Sequence, residues 1–436
     1  MPTLPSRLLT AILIVLVAGA LAISYLAFRF TQDKSAEYSD AVEHFKYGST
    51  GGERTSGIPY SVWKALPSLF PEYMPAPGAN FASFGFLYEK EKDLPIGISK
   101  RNYRGIDVVF FNCAICHMGS VRDTAQSEPN YIAGMPSNTV DLRRFYQFLF
   151  DIVADKKFTP QRILLQSAYV GAKEDLLNRV ILRRYALYLM REQLLDRKQR
   201  LGFILDEPEF GPGRIDTFSP AKALLNFRMD KDKVPARERI GTSDLPSIWN
   251  QRKRKDMWLH WDGNNNKVEE RNRSAAFGTG ATPTTLDRRL IHRVEGWINE
   301  AKPPAYPYAK NPSLAAQGQP LYERYCADCH GRSGTDFTGA RVGRVTSIHE
   351  VGTDPHRLDS YTYDLAAVQN TLYAGYGDER FSHFRKTFGY ANAPLDGIWL
   401  RAPYCTTARC PRYAIFWSPW RTGPNPFIAE TIFTIA

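Results

Sequence analysis

Apolar positions open the chain in one unbroken block. After Arg7, Leu8 to Phe28 (LLTAILIVLVAGALAISYLAF) is 21 residues without a charge, matching the roughly 20 that a helix needs to cross a bilayer. Ala20-Leu21-Ala22 offers a small-residue cleavage site, so a removed signal peptide competes with an uncleaved anchor. The apolar run continues past that site, which favours the anchor. Either reading puts the rest of the chain on the periplasmic side of a bacterial inner membrane, tethered in the first case and secreted to the periplasm in the second.

Beyond the block the pattern becomes helical in places and irregular elsewhere. Residues 31 to 105 are broken by turn and aromatic residues (YGSTGGERTSGIPY, LPSLFPEYMPAPG) and read as an irregular layer. Thr139 to Ala154 and Pro160 to Arg200 carry apolar residues at helical spacing, with Leu164, Leu165, Tyr169, Leu176 and Leu177 on one face. The same spacing recurs in Leu314, Leu321, Tyr322 and Tyr325. Between these regions Lys302 to Pro312 (KPPAYPYAKNP) is a stiff proline-rich connector. No strand-like alternation persists, so the expected fold is mainly α, with long loops.

Composition narrows the partners. An apolar fraction of 43% with 23% charged residues is ordinary for a chain that buries a core. The net charge of +11 is scattered, with only a short run at Arg252 to Lys255. That favours a basic surface for acidic partners or anionic lipid, and no nucleic acid is expected.

Four of the six cysteines fall into two copies of one motif: FNCAICHMG (Phe111 to Gly119) and LYERYCADCHG (Leu321 to Gly331). C-x-x-C-H is the attachment signature of c-type haem. Two thiols about one helical turn apart each bond a vinyl group, and the histidine that follows ligates the iron from below. Cys113, Cys116 and His117 would hold one haem, and Cys326, Cys329 and His330 the other. A zinc site would need the two pairs brought together across 213 residues, and a redox dithiol would not need the histidine twice. The cofactor expectation is two covalently attached haems c, with one iron each. The sixth ligands stay open among His44, His260, His292, His349, His356, His383 and Met135.

A faint internal repeat accompanies the motifs. LPSIW (Leu245 to Trp249) and LHWDG (Leu259 to Gly263) follow the first; PLDGIW (Pro394 to Trp399) and RAPY follow the second, where an L-H-(N/D)-G element is due. CTTARCP stands there instead. Its codons, read one base earlier, admit L-H-N-G-S-V-P. Residues 405–436 therefore read as an out-of-frame tail, with a divergent terminus as the alternative, and Cys405 and Cys410 receive no role. The expected organisation is a membrane anchor or signal peptide (1–30), a first haem domain with loop and helical insertions (31–301), the linker (302–312), an incomplete second cytochrome c domain (313–404) and that tail.

The two motifs, LHWDGNNNKVEERN (Leu259 to Asn272) and GYANAPLDGIWLRAPY (Gly389 to Tyr404) resemble the di-haem cytochrome c peroxidase superfamily, in particular its larger branch similar to bacterial rubber oxygenases. The resemblance covers roughly residues 40 to 404. In the peroxidases a W-D-G-x(5)-E-E-Q segment lies over the reactive haem, and one of its glutamates handles protons. Trp261, Asp262, Gly263, Glu269 and Glu270 match, while Arg271 replaces the glutamine. The resemblance thus implies Glu269 or Glu270 as a proton carrier, against a solvated helix face with Arg271 and Arg273. His260 and Trp261 would line the haem edge and relay electrons. It also implies a haem at His117 that reacts with peroxide or dioxygen and one at His330 that is six-coordinate and passes electrons. Relatives continue past position 436, where a late histidine is similar to a sixth ligand for the second haem.

Three functions follow. One is an anchored di-haem oxidoreductase of peroxidase or oxygenase type, partnered by the membrane, an electron donor or acceptor protein and peroxide or dioxygen. The others are a non-enzymatic electron carrier and a frameshifted inactive product. The large loops around the first motif favour the enzyme.

Overall fold

The computed structural model describes residues 6–401 except 125, 225–233 and 373–376. The suspected out-of-frame tail, with Cys405 and Cys410, lies outside the described residues. Helices dominate. The apolar block forms one helix, Ser6–Phe30, long and apolar enough to cross a membrane and not buried against the rest of the chain. Its last turn is fastened: the Arg29 guanidinium donates to the Gly105 carbonyl at 2.7 Å and to the Asn178 side chain.

The expectation of an irregular layer over residues 31–105 needs correction, because this stretch supplies most of a sheet. β1 (Asp33–Ser35), β2 (Ile58–Pro59), β3 (Ile98–Tyr103) and β4 (Ile106–Phe111) form a four-stranded antiparallel sheet in the order β1-β3-β4-β2. The strands escaped notice for a physical reason. Val108, Val109, Phe110 and Phe111 are all buried, and a strand covered on both faces reads as an apolar run rather than an alternation. The connecting turn, Arg104 and Gly105, has φ of 54° and 78°, the mirror-image turn that matches strand twist.

Leu142–Ala154 covers this sheet. Its N-cap Asp141 accepts the Arg144 N–H at 3.0 Å, and its apolar face buries Phe145, Phe148 and Leu149 against Phe81, Phe84, Phe86 and Phe111. Phe145 touches Phe86 and Phe111 with ring centroids 5.1 and 5.6 Å apart. Truncating such a ring to alanine costs about 3–5 kcal/mol.

Pro160 to Arg200 is helical but broken into Pro160–Tyr169, Leu176–Ile181, a π-helical turn Leu182–Ala186, and Leu187–Leu201. The single apolar face expected here splits. Leu164 is buried and Leu177 half-buried, whereas Leu165, Tyr169 and Leu176 face outward. The break at Gly171, where φ is +81°, resets the helical phase.

The connector 302–312 lacks helix or strand until Pro312 opens Pro312–Tyr325. It does not separate independent units. One core cluster joins Phe218, Ala276, Leu286 and Ile291 from before it to Tyr361, Leu365, Phe381 and Phe384 from after it. Buried polar ties repeat the message. Asp396 accepts from Asn250 at 2.9 Å and from Arg254, and the Arg357 guanidinium lies 3.5 Å from Asp262. Residues 31–301 and 313–401 are therefore interlocked.

Candidate functional site

Each C-x-x-C-H motif folds the same way. Strand β4 ends at Phe111, and the Asn112 side chain accepts the Ala114 N–H at 2.9 Å, which starts the short helix Ala114–His117. Pro312–Tyr325 leads into Ala327–His330, and the Tyr322 hydroxyl donates to the Gly331 carbonyl at 2.6 Å. In both, the histidine Nδ1 meets a backbone carbonyl: His117 to Pro246 at 2.9 Å and His330 to Ala393 at 2.8 Å. A neutral imidazole that donates from Nδ1 keeps its Nε2 lone pair for a metal, and this contact fixes tautomer and ring orientation. None of Cys113, Cys116, Cys326 and Cys329 is in a disulfide. Among the described residues no three His, Cys, Asp or Glu side chains converge, so the two pairs do not meet as a zinc site would require.

The sequence repeat now has a mechanical meaning. Pro246 belongs to LPSIW, and Ala393 immediately precedes PLDGIW, so one acceptor lies within its copy of the repeat and the other directly before it. The copies also pack on each other. At Gly397, where φ is +63°, a Cβ would lie 2.5 Å from the Trp249 ring. Trp261 joins them: its Nε1 donates to the Asp244 carbonyl at 2.8 Å, and its own carbonyl accepts the Ala391 N–H at 2.8 Å. Asp244 and Ala391 each stand two residues before the carbonyl that holds a histidine.

Cys113, Cys116 and His117 line a cavity of about 300 Å³. Its apolar walls include Tyr146 and Phe150 from Leu142–Ala154, Leu201, and Ile291, Val294 and Ile298 from Arg288–Glu300. The latter helix is fixed by its N-cap Asp287, which accepts from the fully buried Arg101 guanidinium at 2.7 Å. Burial governs the electrostatics. It pushes the Cys113 and Cys116 thiols up to about 11 and about 12, which is unlike a reactive dithiol. Burial and then Arg271 drive His117 down to about 3, so the imidazole is neutral and able to ligate.

The second motif sits in a different setting. Cys326, Cys329 and His330 are part-buried, as are Cys113, Cys116 and His117, but none of the second three lines that cavity. Of the helically spaced apolar residues before it, Tyr322 is buried, but Leu321 and Tyr325 are 56% and 69% exposed.

The other candidates separate cleanly. His260 and Trp261 line the cavity, and they also line a smaller one of about 50 Å³ that reaches Pro246, Arg271 and Ala393. They therefore stand in the wall between the two histidine-holding loops. His260 has φ of 62° and a buried Nε2 without a hydrogen-bond partner, a strained conformation held by its surroundings. Burial depresses its pKa well below the usual value.

Glu269 and Glu270, the residues expected as proton carrier or solvated helix face, are not among the residues that line the cavity. Both lie on Val268–Gly278, whose residues Arg271, Asn272, Ser274, Ala275 and Phe277 do line it. Glu269 is solvent-exposed near Lys267. Glu270 is buried and committed elsewhere, accepting from His383 Nδ1 at 2.7 Å, the Ser382 N–H at 3.0 Å and Asn265 at 3.1 Å. Met135 packs with Ile132, Trp249 and Leu400, outside the cavity lining. Of the six histidines outside the motifs, only His260 lines it.

Two cavity residues were missed. Arg271 is buried and cationic, without a hydrogen-bond or ion-pair partner among the described residues. Glu295 is buried, with Oε2 accepting from His292 at 3.0 Å and Oε1 lacking a partner. Burial raises its pKa, and its charge is felt at Cys113. A signal existed: Glu295 falls among Ile291, Val294 and Ile298, an acid on the apolar face of its helix.

A haem fits these residues: paired free thiols, an oriented imidazole, apolar walls and an unpartnered cation suited to a propionate. No family model matches the chain. A protein of Sinorhizobium fredii (strain NBRC 101917 / NGR234), described as uncharacterized, is 26% identical over 193 residues, covering 39% of this chain and 42% of that protein. The match thus spans less than half the length of this curated relative, whose description names no activity.

Proposed function

We propose that the chain is an exported, membrane-anchored c-type cytochrome with two covalent haems, related to the di-haem cytochrome c peroxidase superfamily and working as an oxidoreductase. The observation that carries this reading is the duplicated arrangement in which the Nδ1 of each C-x-x-C-H histidine meets a backbone carbonyl within or directly before a copy of the repeat. Cys113, Cys116 and His117 would hold one haem, and Cys326, Cys329 and His330 the other. Such a haem supplies one-electron chemistry and, at an open coordination position, reactivity toward peroxide or dioxygen.

The chain's residues do different work at the two places. Around His117 the apolar walls exclude bulk water, and Arg271 offers its charge to an anionic haem substituent. Glu295 takes the proton-handling role, because burial favours its protonated form and one carboxylate oxygen is uncommitted. Trp261 provides a bonded route between the two histidine-holding loops. The part-buried His330 site exchanges electrons with a protein partner.

Optical and electron paramagnetic spectra test the division. A high-spin signal that shifts on adding cyanide or peroxide, beside a second unresponsive haem, is expected. Two unresponsive low-spin haems would instead mark a simple electron carrier.

A further inference from the structure

The residues that broke the expected buried face form a feature that the haem reading does not use. Leu165, Tyr169, Leu176, Tyr185 and Leu189 are 75%, 85%, 79%, 68% and 62% exposed, with Val180 and Tyr188 exposed beside them. Along the second helix, Leu176, Val180, Tyr185 and Leu189 follow at intervals of four, five and four. An unbroken α-helix would bring Arg184 in line with Val180. The π-helical turn Leu182–Ala186 inserts one residue and brings Tyr185 there instead. Pro160–Tyr169, which carries Leu165 and Tyr169, packs against that turn. A stripe this apolar on a water-facing surface marks a partner or a membrane.

Position and charge select the membrane. Asn178, two residues from both Leu176 and Val180 and on the buried side of the same helix, receives the Arg29 guanidinium, and Asp175 lies 3.7 Å from the same group. Arg29 is the last basic residue of the apolar helix Ser6–Phe30, so the stripe starts where that helix would leave a bilayer. Lys173, Arg179, Arg183, Arg184 and Arg191 flank it against Glu174, Asp175 and Glu192, the last 3.7 Å from Arg191. Apolar and tyrosine side chains bordered by arginines make an interfacial face for anionic headgroups.

We infer that Leu176–Leu189, with Leu165 and Tyr169, lies in the interface of the bilayer that holds the N-terminal helix, docking the body flat on anionic lipid. This rests on the anchor reading, and the test separates the two. Leu16→Cys, Leu176→Cys, Tyr185→Cys and Leu189→Cys are made singly in the full chain, spin-labelled and placed in phosphatidylcholine–phosphatidylglycerol nanodiscs, with the unsubstituted chain labelled in parallel as background. Power saturation then compares collision with oxygen and with a water-soluble nickel chelate. Docking predicts oxygen-favoured collision at 176, 185 and 189, as at 16. Nickel-favoured collision at the three stripe positions, with 16 still in lipid, overturns docking alone. Nickel-favoured collision at 16 overturns the anchor and docking together. Protection of the stripe from both reagents means that protein covers it, for instance a second copy, and overturns the lipid assignment.

Discussion

The two C-x-x-C-H segments share a local geometry and differ in almost everything around it. His117 and His330 hold nearly identical Nδ1 contacts, 2.9 and 2.8 Å from a carbonyl. All four cysteines are part-buried, yet Cys113 and Cys116 face an apolar-walled cavity, whereas Cys326 and Cys329 stand beside exposed Leu321 and Tyr325. The lesson is a separation of tasks. On the proposed reading the motif and its carbonyl partner would set attachment and the ligating tautomer, while the surrounding walls would set what reaches a bound metal and with which protonation state.

The largest expected effect strikes the cavity side alone. Glu295→Gln should slow the peroxide reaction by about 10²–10⁴-fold, leaving haem content and the reduced spectrum unchanged, as read by stopped-flow absorbance. An unchanged rate would return both sites to electron transfer.

Next comes the joint between the regions. Asp396 is buried and accepts from Asn250, Arg254 and Arg401. Asp396→Ala strands buried cations and should cost about 3–5 kcal/mol. Because the halves share a core, denaturation should remain one transition. Separate melting of the His330 region would show that the interlock is weaker than the packing implies.

Burial also makes a pH signature. Neither oxygen of the buried Glu207 has a hydrogen-bond partner, and burial followed by Asp216 pushes its carboxyl up to about 9. The folded chain keeps a proton that the unfolded chain releases above the ordinary carboxylate range. Stability from this group is therefore full at acid pH and declines as pH rises toward about 9. Glu207→Gln should flatten that decline in urea midpoints measured from pH 5 to 9.

The smallest change falls on the wall. Trp261→Phe removes one hydrogen bond, worth about 1 kcal/mol, and should slow electron transfer between the haems without altering either spectrum. An unchanged transfer rate would remove Trp261 from the route.

What the sequence revealed follows the range of each interaction. C-x-x-C-H is a local unit, so its six residues were legible at once, and the LPSIW and PLDGIW repeats pointed to the elements that hold the histidines. Glu270 looked catalytic beside Trp261 and Asp262, but its partner His383 comes 113 residues later, beyond any spacing rule. Glu295 carried a readable sign, an acid among Ile291, Val294 and Ile298. Leu165 and Leu176 show the limit of periodicity: it marks an apolar face without saying what covers it. Strand β4 was hidden because two-sided burial erases alternation.

The central claim is that both motifs carry covalent haem. Purified full-length chain, produced in an export host with haem attachment machinery, is denatured and extracted with acidified acetone, and its pyridine haemochrome is measured against protein. The account predicts that the pigment stays with the polypeptide at two haems per chain. Complete loss of colour into the solvent would contradict it.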